Sequence, residues 1–113
     1  MVTISQIQRG FAAFVDNEIA VAFTGWQKAV IAGGAGLFAS NFPNIVKMYS
    51  GHPIVRMLGL YDANAGAFNI DALYNAIVPK LGADKIPVTI PKIGTIKMGQ
   101  PEIDELMRYI KEA

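Results

Sequence analysis

Apolar positions near the N-terminus recur at helical spacing. Thr3 and Gln6 stand at the spacing of a capping box, in which the threonine hydroxyl accepts a backbone N–H and the glutamine reaches back to the cap. The apolar stripe that follows consists of Ile4, Ile7, Phe11, Phe14 and Val15. This pattern predicts an amphipathic helix whose stripe is a packing surface.

The same spacing at Thr24 and Gln27 predicts a second helix, which begins near Trp26 and runs toward Ser40. A helix break is predicted after it, and the glycine-rich helix would then be only about a dozen residues long. That length is typical of a buried core helix.

Two short helices are predicted next, at residues 43–50 and 53–58, each with proline at its start and glycine just past its end. Asn41 is the expected cap of the first, and His52 is expected to cap the second or to fill the bend before it. The predicted buried positions of the two helices are Ile45, Met48, Tyr49, Ile54, Met57 and Leu58.

Residues 61–66 form a predicted turn and residues 67–70 a short strand. Asp71 is the expected cap of the next helix, and Gly82 is its expected end. The apolar stripe of this helix is Leu73, Tyr74, Ile77 and Val78.

Residues 86–98 are predicted to form an antiparallel β-hairpin. A three-residue loop at 92–94, with Gly94 in the left-handed conformation, would pair Ile90 with Ile96 and leave Ile93 exposed at the tip. In this register one buried face is shared by Ile86, Val88, Ile90, Ile96 and Met98.

The last predicted element is a helix at residues 101–112, in which Asp104 and Arg108 stand at the spacing of an ion pair. Together the elements predict an α+β fold that is mostly α, with N-terminal helices, a short antiparallel β-hairpin and a C-terminal helix. The length favours a single domain, 1–113, with an apolar helical part at 1–60 and a turn, helix, hairpin and helix at 61–113.

Charge is distributed unevenly along this chain. No acidic residue lies between Glu18 and Asp62, and that stretch carries only Lys28, Lys47 and Arg56 as full charges. The chain is 52% hydrophobic and 17% charged, against about 25% charged in average usage. So apolar a stretch is expected to be covered by the rest of the chain, by copies of itself or by a lipid bilayer.

The remaining composition excludes several classes of function. Scattered lysines and a net charge of +1 argue against a nucleic-acid partner. The absence of cysteine excludes disulfides, thiolate zinc sites and cysteine nucleophiles. With a single histidine and with carboxylates in turns and helix ends, the sequence predicts no catalytic residue, no cofactor and no metal. Arg9, Asp16 and Glu18 interrupt any signal-peptide core, which favours a cytoplasmic location.

The glycine-rich segment suggests a dinucleotide site. Gly34-x-Gly36-x-x-Ala39 has the spacing of a dinucleotide-binding turn, but that motif requires an acidic residue about twenty positions later. No acidic residue occurs before Asp62. A dinucleotide-binding enzyme is therefore a distant third hypothesis.

Insertion into a membrane is a nearer alternative. The 18 residues from Ala29 to Val46 carry no charge, which is the lower limit for a span of the ~30 Å hydrocarbon core. The alternative hypothesis is therefore a small membrane-active protein, holin-like in behaviour, with the region Trp26 to Tyr49 in the bilayer.

The C-terminal half contains a set of short runs that form turns, caps and a hairpin. They are Leu58-Gly-Leu-Tyr-Asp, Ile70-Asp-Ala-Leu-Tyr74, Ile86-Pro-Val-Thr-Ile-Pro with Gly94-Thr-Ile-Lys, and Ile103-Asp-Glu-Leu. They resemble small uncharacterised proteins encoded in phage and prophage gene clusters of Gram-positive bacteria. The resemblance implies a virion, assembly or lysis accessory part, and it implies no site residues.

The leading hypothesis is a non-enzymatic structural or interaction protein that self-associates, either in the cytoplasm or incorporated in a phage particle. A homo-oligomer would cover the acid-free stretch, and small residues would let a second helix approach closely. The predicted interface residues are Phe11, Phe14, Gly33, Gly34, Gly36 and Ile93.

Overall fold

The fold is α+β and mostly helical, as predicted, in a computed structural model that describes residues 1–81, 86–90 and 93–113. The helices are α1 (Ile4–Phe14), α2 (Trp26–Tyr49), α3 (Pro53–Leu58), α4 (Ile70–Leu81) and α5 (Gln100–Glu112). The strands are β1 (Val2–Thr3), β2 (Tyr61–Asp62), β3 (Ala67–Phe68), β4 (Ile86–Ile90) and β5 (Gly94–Met98). The predicted hairpin and C-terminal helix are β4–β5 and α5.

Helix α1 begins with the predicted capping box. The Gln6 backbone N–H donates to Thr3 Oγ1 at 3.1 Å, and the Thr3 N–H donates to Gln6 Oε1 at 3.0 Å. The helix continues into a π-helical turn at Val15–Ile19 and a 3-10 turn at Ala20–Ala22. These turns lead the chain to α2, so that α1 packs against both α2 and α5.

Two buried clusters lie around α1. The first cluster, beside α2, consists of Phe14, Val15, Ala20, Ile31 and Ala35. The second cluster, beside α4 and α5, consists of Val2, Ile7, Ile70 and Ile110. Burial of these side chains is the main driving force that holds the helices together.

Gly10 is the point of closest approach between α1 and α5. A β-carbon on Gly10 would lie 2.4 Å from Cα and 2.7 Å from N of Ile110, which is far inside van der Waals contact. Only glycine is compatible with this spacing. The sequence pattern predicted close helix packing at Gly34 and Gly36 and not at Gly10.

One continuous helix, α2, replaces the two helices that were predicted around Pro43, so the predicted break is wrong. Proline lacks the N–H that would bond to the carbonyl of Ala39, and this loss normally ends or kinks a helix. Here Gln8 of α1 donates from Nε2 to the same carbonyl at 2.7 Å. Asn41, the predicted cap, instead donates to the carbonyl of Leu37 at 3.1 Å.

Helix α2 starts at Trp26, as predicted, but its cap differs from the prediction. Gly25, which has no side chain, occupies the cap position with φ +62°, so the predicted capping box of Thr24 and Gln27 does not form. A positive φ is readily adopted only by glycine. The chain reversal at Gly25 therefore sets where α2 begins.

The cap of α4 is Asn69 and not Asp71 as predicted. Asn69 Oδ1 accepts the N–H of Ala72 at 3.1 Å, because the helix starts one residue earlier than expected, at Ile70. The predicted end at Gly82 lies outside the described residues.

The connection from α3 to β3 contains the helix cap, the glycine helix end and the turn that the sequence predicts. His52 caps α3, since its Nδ1 accepts the N–H of Ile54 at 3.1 Å, and Gly59 ends the helix in the left-handed conformation. In the turn after β2, the Asp62 carboxylate accepts the N–H of Asn64 at 2.9 Å. Strand β3 then lies between β1 and β2 in a three-stranded antiparallel sheet.

The hairpin β4–β5 has the predicted strands in a different register. Ile90 pairs with Gly94 and Val88 with Ile96, so the connection is residues 91–93 rather than the predicted 92–94. The predicted pairing was wrong by two residues, and since side chains alternate with a period of two, the same residues still share a face. Gly94 has φ +145° and lies in β5; Lys92, which was predicted to be in the loop, lies outside the described residues.

Candidate interaction surface

The aromatic residues predicted at an interface pack within the chain. Phe14 is 3% exposed, and its ring meets the ring of Tyr109 edge-on at 6.0 Å. Phe11 is half-buried, with its ring centroid 4.9 Å from that of Phe38. Ile93, expected to be exposed at a loop tip, is half-buried and packs against the first cluster. The expected exposure of Ile93 is therefore wrong.

The predicted interface glycines lie on α2. Gly33, Gly34 and Gly36 are exposed, and a β-carbon on any of them would meet no described atom within 4 Å. Ser40 is exposed as well, four residues after Gly36. The structure thus leaves Gly33, Gly36 and Ser40 as a stripe of small residues uncovered on the outside of this helix, whereas Gly34 borders an apolar cavity on another side.

The largest uncovered apolar surface extends along α2 and α3, and we call it the α2–α3 face. Its large exposed side chains are Trp26, Val30, Leu37, Phe38, Met48, Tyr49, Ile54, Met57 and Leu58. Leu37, Met48 and Met57 are 68%, 72% and 77% exposed. Patches of this kind on soluble proteins usually mark a contact with another apolar surface.

Most of the residues expected to be buried in the two short helices belong to this face. Met48 and Met57 are the most exposed of them, and only Ile45 is half-buried. The prediction failed because an apolar helical stripe indicates which side of a helix avoids water but does not show that the same chain covers it.

Two apolar cavities lie behind the α2–α3 face. A cavity of about 640 Å³ lies between α1, α2 and the hairpin, and Phe14, Ile31 and Ile96 are among its lining residues. A second cavity, of about 380 Å³, lies between α1, α2, α4 and α5. Neither cavity is lined by a charged side chain among the described residues.

Charged groups on α5 are held by ion pairs at the surface. Arg108 donates to Glu105 at 2.7 Å and to Glu112 at 3.1 Å, and the first contact lowers the pKa of Glu105. The predicted pair of Asp104 and Arg108 is wrong, because Asp104 accepts the hydroxyl of Tyr74 instead. These contacts join neighbouring parts of the fold and leave the carboxylates with structural partners.

Two further contacts connect α5 to distant segments. Lys111 Nζ lies 2.7 Å from the carboxylate of Asp71, and its hydrogen bond and charge lower the pKa of that carboxyl. The hydroxyl of Tyr109 donates to Glu18 at 2.8 Å, and this bond raises the pKa of the phenol. Both contacts are at the protein surface, where ion pairs contribute little to stability.

Neither a metal site nor a dinucleotide-binding turn is formed by the described residues. Among the described residues, no three histidine, aspartate or glutamate side chains lie together as a possible metal site. Gly34 and Gly36 lie in the middle of α2, where helix hydrogen bonds occupy the backbone N–H groups. The strand–turn–helix arrangement of a dinucleotide-binding turn is therefore not formed at these glycines.

Helix α2 meets the length and composition of a membrane-crossing helix. It has 24 residues, and its most apolar 18-residue window has a mean hydropathy of 1.3 with 17% of the window buried. At 1.5 Å per residue such a helix is about 36 Å long. The helix predicted from the sequence is only about a dozen residues long, because the pattern predicts a break before Pro43.

Comparison of the chain with protein-family models, with curated proteins and with solved structures gave no match. The function is therefore inferred from the physical properties of the α2–α3 face.

Proposed function

We propose that this is a small non-enzymatic protein that acts at a membrane, with the α2–α3 face in contact with lipid. The observation that carries the proposal is the exposure of nine large apolar side chains on the two successive helices α2 and α3. Transfer of apolar area out of water contributes roughly 25 cal/mol per Å². A bilayer offers an apolar medium over the whole length of this segment.

The shape of the face supports lipid as its occupant. Trp26, Leu37 and Met48 are spaced by eleven residues, which is close to three helical turns, so they form a straight line along α2. The line is about 33 Å long at 1.5 Å per residue. Trp26 and Tyr49 stand at its two ends, and such aromatic side chains favour the boundary between headgroups and acyl chains.

The covered side of α2 favours a helix that lies in the surface of the membrane. Gln8 of α1 bonds to the middle of α2, at Ala39, and α1 carries the charged Arg9 one residue later. Burying that polar side in hydrocarbon would be costly. We therefore propose that α2 and α3 lie along the interface, with the side of α2 that packs on α1 away from the lipid.

Cell fractionation without detergent tests the proposal. We expect the protein in the membrane fraction, and we expect the double variant Leu37→Asp, Met57→Asp to move to the soluble fraction with an unchanged circular dichroism spectrum. Thr95→Asp is the matched control, because Thr95 is exposed on β5 away from the face. A wild-type protein that is entirely soluble would refute the proposal.

Self-association is the second candidate function, and the exposed stripe of Gly33, Gly36 and Ser40 favours it. Small residues allow two helices to approach closely, and no described atom occupies the space beside these glycines. In this case the protein would be a structural part in the cytoplasm or in a phage particle, as the phage resemblance implies. It ranks second because the long exposed helix replaces the short buried helix on which the sequence hypothesis depended.

Sedimentation equilibrium without lipid tests this second candidate. A homo-oligomer that dissociates in the Gly36→Leu variant would support it, because the added side chain would block a close helix contact. A 12.2 kDa monomer at tens of micromolar would exclude it.

A further inference from the structure

The segment that carries the α2–α3 face is positively charged as well as apolar. Residues 19–61 contain Lys28, Lys47 and Arg56 and no acidic residue, which gives this segment a charge of +3. Because the whole chain carries +1, the remaining residues sum to −2, since +1 minus +3 is −2. The helices that carry the apolar face therefore belong to a positive segment, and the rest of the sequence is negative.

These three cations are free to meet an external charge. All three are exposed, and none forms an ion pair within the described part of the chain. Lys28 and Lys47 lie 19 residues apart, which places them about 28 Å from each other along α2. Lys47 lies about 80° around α2 from Leu37, at the edge of the face, where its apolar stem can lie along hydrocarbon while the ammonium group reaches the headgroups. Lys28 lies about 200° from Trp26, on the side of α2 that is turned away from the lipid, and acts only through its longer-range charge.

We infer that the α2–α3 face binds the surface of a bilayer that contains anionic phospholipid, an inference that rests on the proposed function and names its lipid class. Cations near an anionic leaflet are attracted to it, and for three of them the gain in partition coefficient is roughly a hundredfold. The negative remainder of the chain is repelled and faces the solvent. Charge thus selects both the lipid and the orientation of the protein.

A second copy of the chain is a poorer occupant of the same face. Two copies that met through it would bring two positive segments together, with Lys47 at the edge of the contact and no acidic residue in either segment to neutralise them. Like charges held close together destabilise a contact. The absence of acids from residues 19–61 is unfavourable to such a dimer and favourable to an anionic surface.

Vesicle co-sedimentation tests the inference. Binding is compared on vesicles of phosphatidylcholine alone and on vesicles with about 30% phosphatidylglycerol. We expect the anionic vesicles to bind the protein roughly a hundredfold more tightly in dilute buffer. The difference should shrink in 1 M salt, where the Debye length is about 3 Å.

Two charge-reversal variants distinguish the effect of a charge near the face from the effect of the chain's net charge on binding. Lys47→Glu lies at the edge of the face, whereas Lys97→Glu changes the net charge equally at an exposed position on β5. We expect Lys47→Glu to weaken binding to anionic vesicles by roughly thirtyfold and Lys97→Glu by only a few-fold. Arg56→Glu is the second variant on the face if Lys47→Glu does not give a wild-type circular dichroism spectrum.

The outcomes distinguish a failure of the inference about anionic lipid from a failure of the proposed membrane function. Equal binding to neutral and anionic vesicles would overturn the inference and leave membrane contact in place. Equal weakening by Lys47→Glu and Lys97→Glu would also overturn it, because net charge and not the face would then control binding. Binding to neither vesicle would overturn the proposed function as well.

Discussion

Replacing Gly10 with alanine tests the close packing of α1 on α5. The new β-carbon would lie 2.4 Å from Ile110 Cα, whereas carbon atoms in contact are about 3.5–4 Å apart. The nearest atoms belong to the backbone of α5 and cannot rotate away, so the two helices must separate by roughly 1 Å. Ile110 is part of the second buried cluster, which would loosen with them.

The expected loss of stability follows from two opposing effects. Overpacking of this kind costs about 1–3 kcal/mol, and the upper end applies because rigid backbone is displaced. Alanine gains about 1 kcal/mol over glycine in a helix interior. We therefore expect Gly10→Ala to lower the free energy of unfolding by about 2 kcal/mol and the melting temperature by roughly 10 °C.

Urea denaturation followed by far-ultraviolet circular dichroism measures this change better than tryptophan fluorescence, because Trp26 is exposed in the folded state. Gly36→Ala is the control, since its β-carbon meets no described atom within 4 Å and should stabilise the helix by up to about 1 kcal/mol. A Gly10→Ala variant as stable as the wild type would refute the close contact.

Other substitutions examine the backbone, the long helix and the surface charges. Gly94→Val should destabilise the fold by about 1 kcal/mol or more because of its φ of +145°, and a wild-type melting curve would contradict that backbone assignment. Gln8→Ala should cost about 1 kcal/mol by removing the bond to α2, and in a double-mutant cycle the cost should shrink when Pro43→Ala restores a backbone donor. The folded-state pKa of Asp71 is lowered, so its contribution to stability is present at neutral pH and is lost as the pH falls through that pKa. In an NMR titration Lys111→Met should raise this pKa toward its usual value, and an unchanged titration would contradict the ion pair.

The sequence predicted best those features that depend on neighbouring residues. The capping box of Thr3 and Gln6 formed as expected because both partners lie within one helical turn. The cap at His52 follows the same rule, because its partner is two residues away. The alternation along β4 and β5 was correct even though the turn set a different register.

Features that depend on distant partners were not predictable by the same rules. Asn41 and Pro43 predict a helix break when only neighbouring residues are considered. The hydrogen bond from Gln8, which lies on another helix, instead stabilises a continuous helix. Gly10 had a signal that could have been used, since it lies on the apolar stripe three residues after Ile7 and four before Phe14. A small residue among large ones at such a position indicates a close helix contact.

Only part of the candidate surface could be predicted from the sequence. The absence of acidic residues from 19–61 correctly marked an unusual segment, and the exposed glycines lie in it. The pattern could not show which apolar side chains the chain covers itself, so Phe14 was placed at an interface and Met57 in the core. Periodicity identifies an apolar side of a helix, and only the tertiary arrangement decides what it faces.

The contact between α1 and α5 also determines when this chain can fold. It joins segments about one hundred residues apart in sequence, and at the same end of the molecule Gln6 Nε2 donates to the carbonyl of Ala113 at 3.3 Å. Closing so long a loop has an entropic cost before any packing is gained, which slows folding. The second cluster cannot form until Ile110 has been synthesised, so the side of α1 that carries Ile7 stays exposed to membranes and to other chains until α5 follows.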